Sequence, residues 1–211
     1  IANLNNTTTF SAGGYGNYTA QSVSEYPGLS VNYTITSGNG TMNYGIWIDW
    51  NNDYDFLDAG ENPVLTSSMN TSNSGSITVP SGQAAGNYRM RVTCEWFSGS
   101  AVSCVGSSYG EAEDYTFTVL AYQLPTITGF TSTGCVGSTV VITGTNFTGA
   151  TSVTLGGTST TYTVDSPTQI TANVGAGTTG TIQVTTPGGT ATSAEILTIY
   201  QLPSVSVTPT T

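Results

Sequence analysis

The sequence predicts an all-β chain built as two tandem β-sandwich domains, and three observations carry that expectation. Helix signals are almost absent. Short runs rich in Val, Ile, Thr and Tyr recur between clusters of Gly, Asn, Ser and Pro, at the close spacing typical of sandwiches. The tetrapeptide Tyr122-Gln123-Leu124-Pro125 returns as Tyr200-Gln201-Leu202-Pro203, each time after a strand-like run and before a run of Val, Ile and Thr. Proline cannot donate to a sheet ladder, so the strand register breaks at both places. These tetrapeptides read as short, stiff links. They set the domains at residues 1–121 and 122–203 and leave 204–211 as the start of a further domain or a tail.

In the first domain, strands are expected at Ser30–Thr36, Gly45–Trp50, Gly75–Val79, Tyr88–Trp96 and Asp114–Leu120. Alternate side chains of a strand share a face. Ile46, Ile48 and Trp50 therefore turn to the core, and Trp47 turns outward with Asp49. Tyr88, Met90, Val92 and Cys94 share one face, with Arg89, Arg91 and Thr93 on the other. Tyr115, Phe117 and Val119 are core positions, and Asp114, Thr116 and Thr118 point away from it. If the last two strands are neighbours, Arg89 or Arg91 meets Asp114 in a structural ion pair. In the second domain the runs Thr139–Thr143, Ser152–Leu155, Gln169–Val174 and Thr181–Thr185 read as strands.

Composition removes whole classes of function. Lys+Arg is 2 (Arg89 and Arg91), with no lysine and no histidine. A histidine-dependent nucleophile, a histidine-ligated zinc and a histidine pH switch are excluded. So are a Schiff base, a Walker-type phosphate grip and a Lys-Asn crosslink. The net charge of -10 repels phosphate backbones, which argues against a nucleic-acid partner. Only 7% of residues are charged, against about 25% in typical chains, so Thr, Ser, Asn, Gln and Gly must build the surface. Such a surface offers trypsin-like proteases two sites at most and tolerates salt. No run of about 18 apolar residues indicates a membrane span.

The opening IANLNNTTTF lacks the charged start and apolar block of a signal peptide, so the chain reads as a mature or excised piece of a larger protein. Sequons at Asn6, Asn17, Asn32, Asn39, Asn70 and Asn146 follow from a Thr- and Asn-rich composition. Of three cysteines, Cys94 and Cys104 flank a polar turn and are placed to staple it in an oxidising compartment. Cys135 is left over, either as a small buried hydrophobe or with a partner outside this segment.

The stretch Trp47–Glu61, WIDWNNDYDFLDAGE, carries the chemistry. Five of the twelve acidic residues fall between Asp49 and Glu61. Asp49, Asn51, Asp53 and Asp55 recur at every second residue, as in loops that wrap oxygen ligands around a hard cation. On one reading these four bind a Ca²⁺ ion, with Asp58 or Glu61 closing the shell. The twelfth position counted from Asp49 is Gly60, one short of Glu61, so this is not an EF-hand. On the other reading, Asp and Asn cap their own backbone amides in an acidic turn without metal. That leaves crowded carboxylates with almost no basic residue to offset them.

Glu111, Glu113 and Asp114 form a second acidic group, expected to pair with the arginines or to complete a metal shell. Paired carboxylates also evoke a glycosidase, but no barrel or cleft-building loop accompanies them. Trp47 and Trp96 are the two candidates for stacking on a sugar, with packing at a sandwich edge as the alternative.

WIDWNNDYDFLDAGE, YRMRV (Tyr88–Val92) and YGEAEDYTFTV (Tyr109–Val119) occur in an order that resembles the GEVED domain, a module of secreted bacterial proteins. PTITGF (Pro125–Phe130), VGSTVVITGTNF (Val136–Phe147) and TPGGTATS (Thr186–Ser193) resemble an IPT/TIG immunoglobulin-like domain. The resemblance implies jelly-roll or immunoglobulin-like sandwiches and a non-enzymatic, extracellular or cell-surface role. It also implies neighbouring domains in the same polypeptide. At Tyr54 the family's acidic loop usually carries glycine, whose left-handed backbone suits a tight calcium loop. The expected role is a calcium-stabilised adhesin, stalk or filament segment. The rival roles are a carbohydrate-binding accessory module of a secreted hydrolase, with glycan partners, and self-association into a fibre through exposed edge strands.

Overall fold

The computed structural model describes residues 4–38, 40–96, 100–104, 109–177 and 179–201. The sequon at Asn39, the Leu202-Pro203 half of the second link and the tail 204–211 lie outside them. The chain divides into two compact units, Ile1–Ala121 and Tyr122–Thr211. Both are built of strands. The one helical element among the described residues is a single 3-10 turn at Ala12–Gly14.

The first unit runs β1 (Tyr15–Glu25), β2 (Ser30–Thr36), β3 (Asn43–Ile48), β4 (Val64–Leu65), β5 (Ser72–Thr78), β6 (Gly86–Glu95) and β7 (Gly110–Val119). Five strands form a sheet in the order β1-β7-β6-β3-β4, and β2 pairs with β5 in a second sheet. All pairings are antiparallel except β1 with β7. Val31 and Ile77 of the smaller sheet, with Tyr33 and Val79, pack on Ile46, Ile48, Tyr88, Met90, Tyr115, Phe117 and Val119 of the larger. Burying such side chains contributes about 1.5–3 kcal/mol each. Trp50 packs on this core, its ring 5.5 Å from Tyr88 and 5.3 Å from Phe117. It lies on the core face, as alternation requires.

The larger sheet is also covered on part of its outer face, around β3 and Asp114. All six positions of β3 are buried, and Trp47 is 4% exposed, its ring lying over Gly45. The expectation of Trp47 as a surface stacking residue is therefore overturned: it does point away from the core, but the face is covered at that position. Across the ladder, Trp47 faces Arg91, which faces Asp114. Arg91 holds the buried Asp114 with two bonds, Nε to Oδ1 at 2.6 Å and Nη2 to Oδ2 at 2.8 Å, and Arg89 approaches it to 4.0 Å. Asp114 also accepts from the Tyr15 hydroxyl at 3.0 Å. The structural ion pair read from alternation is thus present, through Arg91.

The expected Cys94–Cys104 staple does not form: Cys94, Cys104 and Cys135 are free thiols. The two sides of the sheet keep the first two apart. Cys94 shares the inner face with Met90 and Val92, whereas Ser103, next to Cys104, accepts Arg91 Nη1 at 3.0 Å on the outer face. Burial pushes the Cys94 thiol up to about 11, helped by the charges of Glu111, Glu113 and Glu95, so it stays protonated and inert. Cys135 is exposed, not a buried hydrophobe.

The second unit continues with β8 (Thr126–Phe130), β9 (Thr133–Cys135), β10 (Thr139–Thr145), β11 (Ser152–Leu155), β12 (Thr158–Ser159), β13 (Tyr162–Ser166), β14 (Gln169–Asn173), β15 (Ile182–Thr186), β16 (Gly189–Thr192) and β17 (Thr198–Tyr200). Its two main sheets, β13-β14-β10-β8 and β12-β11-β15-β16, enclose a core that includes Ile142, Phe147, Leu155, Ile170, Ile182 and Leu197. Strand β9 runs parallel to β17.

Candidate functional site

Strand β3 ends at Ile48, and the chain leaves the sheet in the loop that carries the acidic residues. Ile48 N donates to Glu61 O at 2.7 Å, which closes the loop at its base. Glu61 is 2% exposed and caps two further amides: Oε1 accepts from Trp50 N at 3.0 Å and Oε2 from Asp58 N at 3.3 Å. Asp49, also 2% exposed, accepts from Asp53 N with Oδ1 and from Tyr54 N with Oδ2, both at 3.1 Å. These two buried carboxylates are turned to the backbone and act as the loop's frame. Burial raises the Glu61 pKa, and the charges of Asp49 and Asp58 raise it further, against the lowering effect of its backbone N–H partners.

Around the frame the chain bends through left-handed conformations at Asn52 (φ 58°) and Tyr54 (φ 75°). Tyr54 keeps the conformation that glycine would adopt freely, with its side chain 81% exposed. The bends bring Asp53, Asp55 and Asp58 together, with one oxygen from each lying within 4.8 Å of the others on the surface. Asn51 sits among them, and its Nδ2 donates to Asp53 Oδ2 at 2.9 Å and to Asp58 Oδ2 at 2.6 Å. Asp53 Oδ1 and Asp55 Oδ1 each cap an amide two residues on, at 3.1 and 2.8 Å. Of the six expected ligands, Asn51, Asp53, Asp55 and Asp58 converge, and Asp49 and Glu61 support them from below. Phe56, midway along the loop, lies 5.1 Å from the Arg91 guanidinium, so the loop is tied to the sheet by a cation–π contact.

A second feature lies at the opposite end of β6. The strand register pairs Tyr88 with Phe117, Met90 with Tyr115, Val92 with Glu113 and Cys94 with Glu111 along the inner face. One step further, Trp96 N donates to Tyr109 O at 2.9 Å, which places those two side chains on the same face. The inner face thus grades from apolar core to half-buried carboxylates to exposed aromatics, Trp96 at 55% and Tyr109 at 64%. Their rings lie 5.8 Å apart at 57°. This stretch floors a cleft of about 870 Å³, walled by residues 4–10 on one side and by the end of β2 on the other. Glu113 accepts from Thr8 Oγ1 and Tyr115 OH, both at 2.6 Å, and Glu111 Oε1 accepts from Ser11 N at 2.8 Å. Neither meets an arginine, so only Asp114 of the second acidic group fulfils the expected pairing. The cleft was missed in the sequence, although Glu111 and Glu113 share the parity of Tyr115 and Phe117 and so belong to the inner face.

Two sandwiches in series, the first with an acidic loop held on a buried frame, define a modular β protein. Residues 43–118 match the GEVED domain, and residues 125–200 match the IPT/TIG domain. The chain thus carries a GEVED domain followed by an IPT/TIG domain. Among solved structures it is similar to SGBP-B from a complex xyloglucan utilization locus in Bacteroides uniformis, at 19% identity, covering 82% of this chain and 49% of that one, with a TM-score of 0.37. It is also similar to SGBP-B of the Bacteroides ovatus mixed-linkage glucan utilization locus, solved with a mixed-linkage heptasaccharide. That match has 19% identity, covers 85% of this chain and 43% of the other, and has a TM-score of 0.31. The chain spans half or less of the length of these two structures. No curated protein matches it.

Proposed function

We propose that this chain is a non-catalytic segment of a larger bacterial protein that is secreted or held at the cell surface. It serves as a stalk, adhesin or filament segment, and one Ca²⁺ ion stiffens its first unit. The observation that carries this reading is the meeting of Asp53, Asp55 and Asp58 at the surface, over a frame in which Asp49 and Glu61 are buried and hydrogen-bonded. Three carboxylates at that separation repel one another, and a hard divalent cation relieves the repulsion while taking oxygen ligands. Asp53, Asp55 and Asp58 would hold the ion, and Asn51 sits beside them, its Oδ1 accepting from Asp53 N at 3.1 Å, with that oxygen's second lone pair open to the ion. The matched domains and the charge-poor, hydroxyl-rich composition support an extracellular accessory role. No helix among the described residues is long and apolar enough to cross a membrane.

The test is a thermal melt with calcium or with chelator, on the wild type and on Asp53→Ala. Extracellular calcium modules bind with Kd of about 0.1–1 mM, so about 10 mM calcium stabilises the first unit by roughly 1.4–2.7 kcal/mol. Its transition is expected to rise by several degrees, the second unit's to stay in place, and Asp53→Ala to abolish the rise. If neither the chelator nor the substitution moves the melt, the loop is a self-capped turn and the calcium reading is wrong.

A further inference from the structure

We propose that the cleft at the end of the first sandwich binds a neutral oligosaccharide. Its chemistry is that of sugar recognition: exposed aromatic rings at the mouth, and hydroxyl, amide and carboxylate oxygens on the floor and walls. Pyranose rings carry an apolar C–H face that stacks on Trp or Tyr, and a rim of hydroxyls that seek acceptors and donors. Trp96 and Tyr109 supply two tilted ring planes directly beyond the floor. On the floor, Glu111 uses Oε1 for Ser11 N, and no protein donor among the described residues reaches Oε2. That oxygen is an acceptor for a sugar hydroxyl.

The β2 wall adds backbone groups. Val79 N donates to Leu29 O and Ser37 N to Thr71 O, so odd-numbered residues of β2 face β5 across the ladder. Thr34 and Thr36 therefore direct their backbone N–H and C=O away from β5, and both line the cleft. Among the described residues of the lining, Glu111 and Glu113 are the only charged ones, which disfavours an anionic ligand. Glu113 already has a hydroxyl donor on each oxygen, Thr8 and Tyr115, which disfavours a cationic one. The volume falls within the roughly 300–1,000 Å³ of small-ligand sites. This inference rests on the extracellular reading above, since neutral polysaccharides are met outside the cell.

The experiment is a calorimetric and indole-fluorescence titration of the full chain with cellohexaose, xylohexaose, mannohexaose and laminarihexaose, each to about 10 mM. At least one is expected to bind and to shift the Trp96 indole N–H cross-peak. Trp96→Ala and Tyr109→Ala should each weaken binding about tenfold. Tyr200→Ala, which removes an exposed ring from the second unit, should leave it unchanged. Flat titrations with all four sugars overturn the proposal. So does sugar binding that survives both ring substitutions, or binding of spermidine in place of every sugar. The titration reads the cleft wherever the protein acts, whereas surface labelling of intact cells tests the extracellular reading separately.

Discussion

Tyr54 and Arg91 show how single side chains set the loop. Tyr54 holds φ at 75°, where an L side chain costs about 1–2 kcal/mol, and its ring is largely in solvent. Tyr54→Gly relieves that strain but adds about 0.4–1 kcal/mol of unfolded-state entropy. A net gain of up to about 1.6 kcal/mol is expected, read as a higher first transition in a thermal melt. Arg91 neutralises Asp114, which is almost fully buried, and its hydrogen bonds to Asp114 raise its own pKa despite partial burial. Arg91→Met leaves that carboxylate unpaired and should destabilise the first unit by about 3–5 kcal/mol in denaturant unfolding, with Asp114→Asn added to it restoring part of the loss.

Glu61 adds a pH dependence. Its folded pKa lies above the ordinary 4.5, so its contribution is complete below that value and is lost as pH rises through the folded one. Without calcium, the first transition should therefore rise as pH falls through the folded Glu61 pKa. Thermal melts in chelator at successively lower pH check the sign of this slope.

Among the strands, β2 and β11 follow the expected limits, and β3, β5, β6, β7, β10, β14 and β15 are shifted by a few residues at one or both ends. Hydrophobic alternation made them legible. Strand β1 escaped the sequence because it is an edge strand of Asn, Thr, Gln and Ser with only Gly16 and Val23 buried. Its parallel pairing to β7, with a register shift between Asn17 and Ser22, depends on a partner nearly a hundred residues away. In the second unit, β10 shifts register against β8 at Gly144. A Cβ there would stand 1.8 Å from Thr126 O and 2.5 Å from the Phe147 ring. Gly144→Ala must displace the strand backbone, and a loss comparable to overpacking, about 1–3 kcal/mol or more, is expected in the second transition.

Each unit has its own core, so heat should unfold the chain in two steps. Phe147→Ala, which empties a fully buried ring position, should lower the second step by about 3–5 kcal/mol and leave the first in place. Differential scanning calorimetry of the variant checks this directly.

The all-β class, the two sandwiches, the acidic loop and the Arg–Asp pair were legible in the chain because each rests on local patterning: alternation, turn residues, ligand spacing. Tertiary structure decided what depends on which faces are covered. Trp47 points outward yet is buried, because the outer face of its sheet is covered around β3. Cys94 and Cys104 lie on opposite sides of one sheet. Asp49 and Glu61 become frame while Asp53, Asp55 and Asp58 converge, because the folded loop buries the first two and leaves the other three at the surface. The cleft arises where β6 and β7 run past the core between residues 4–10 and the end of β2. Periodicity assigns a side chain to a face, but only the packed chain determines what lies against that face.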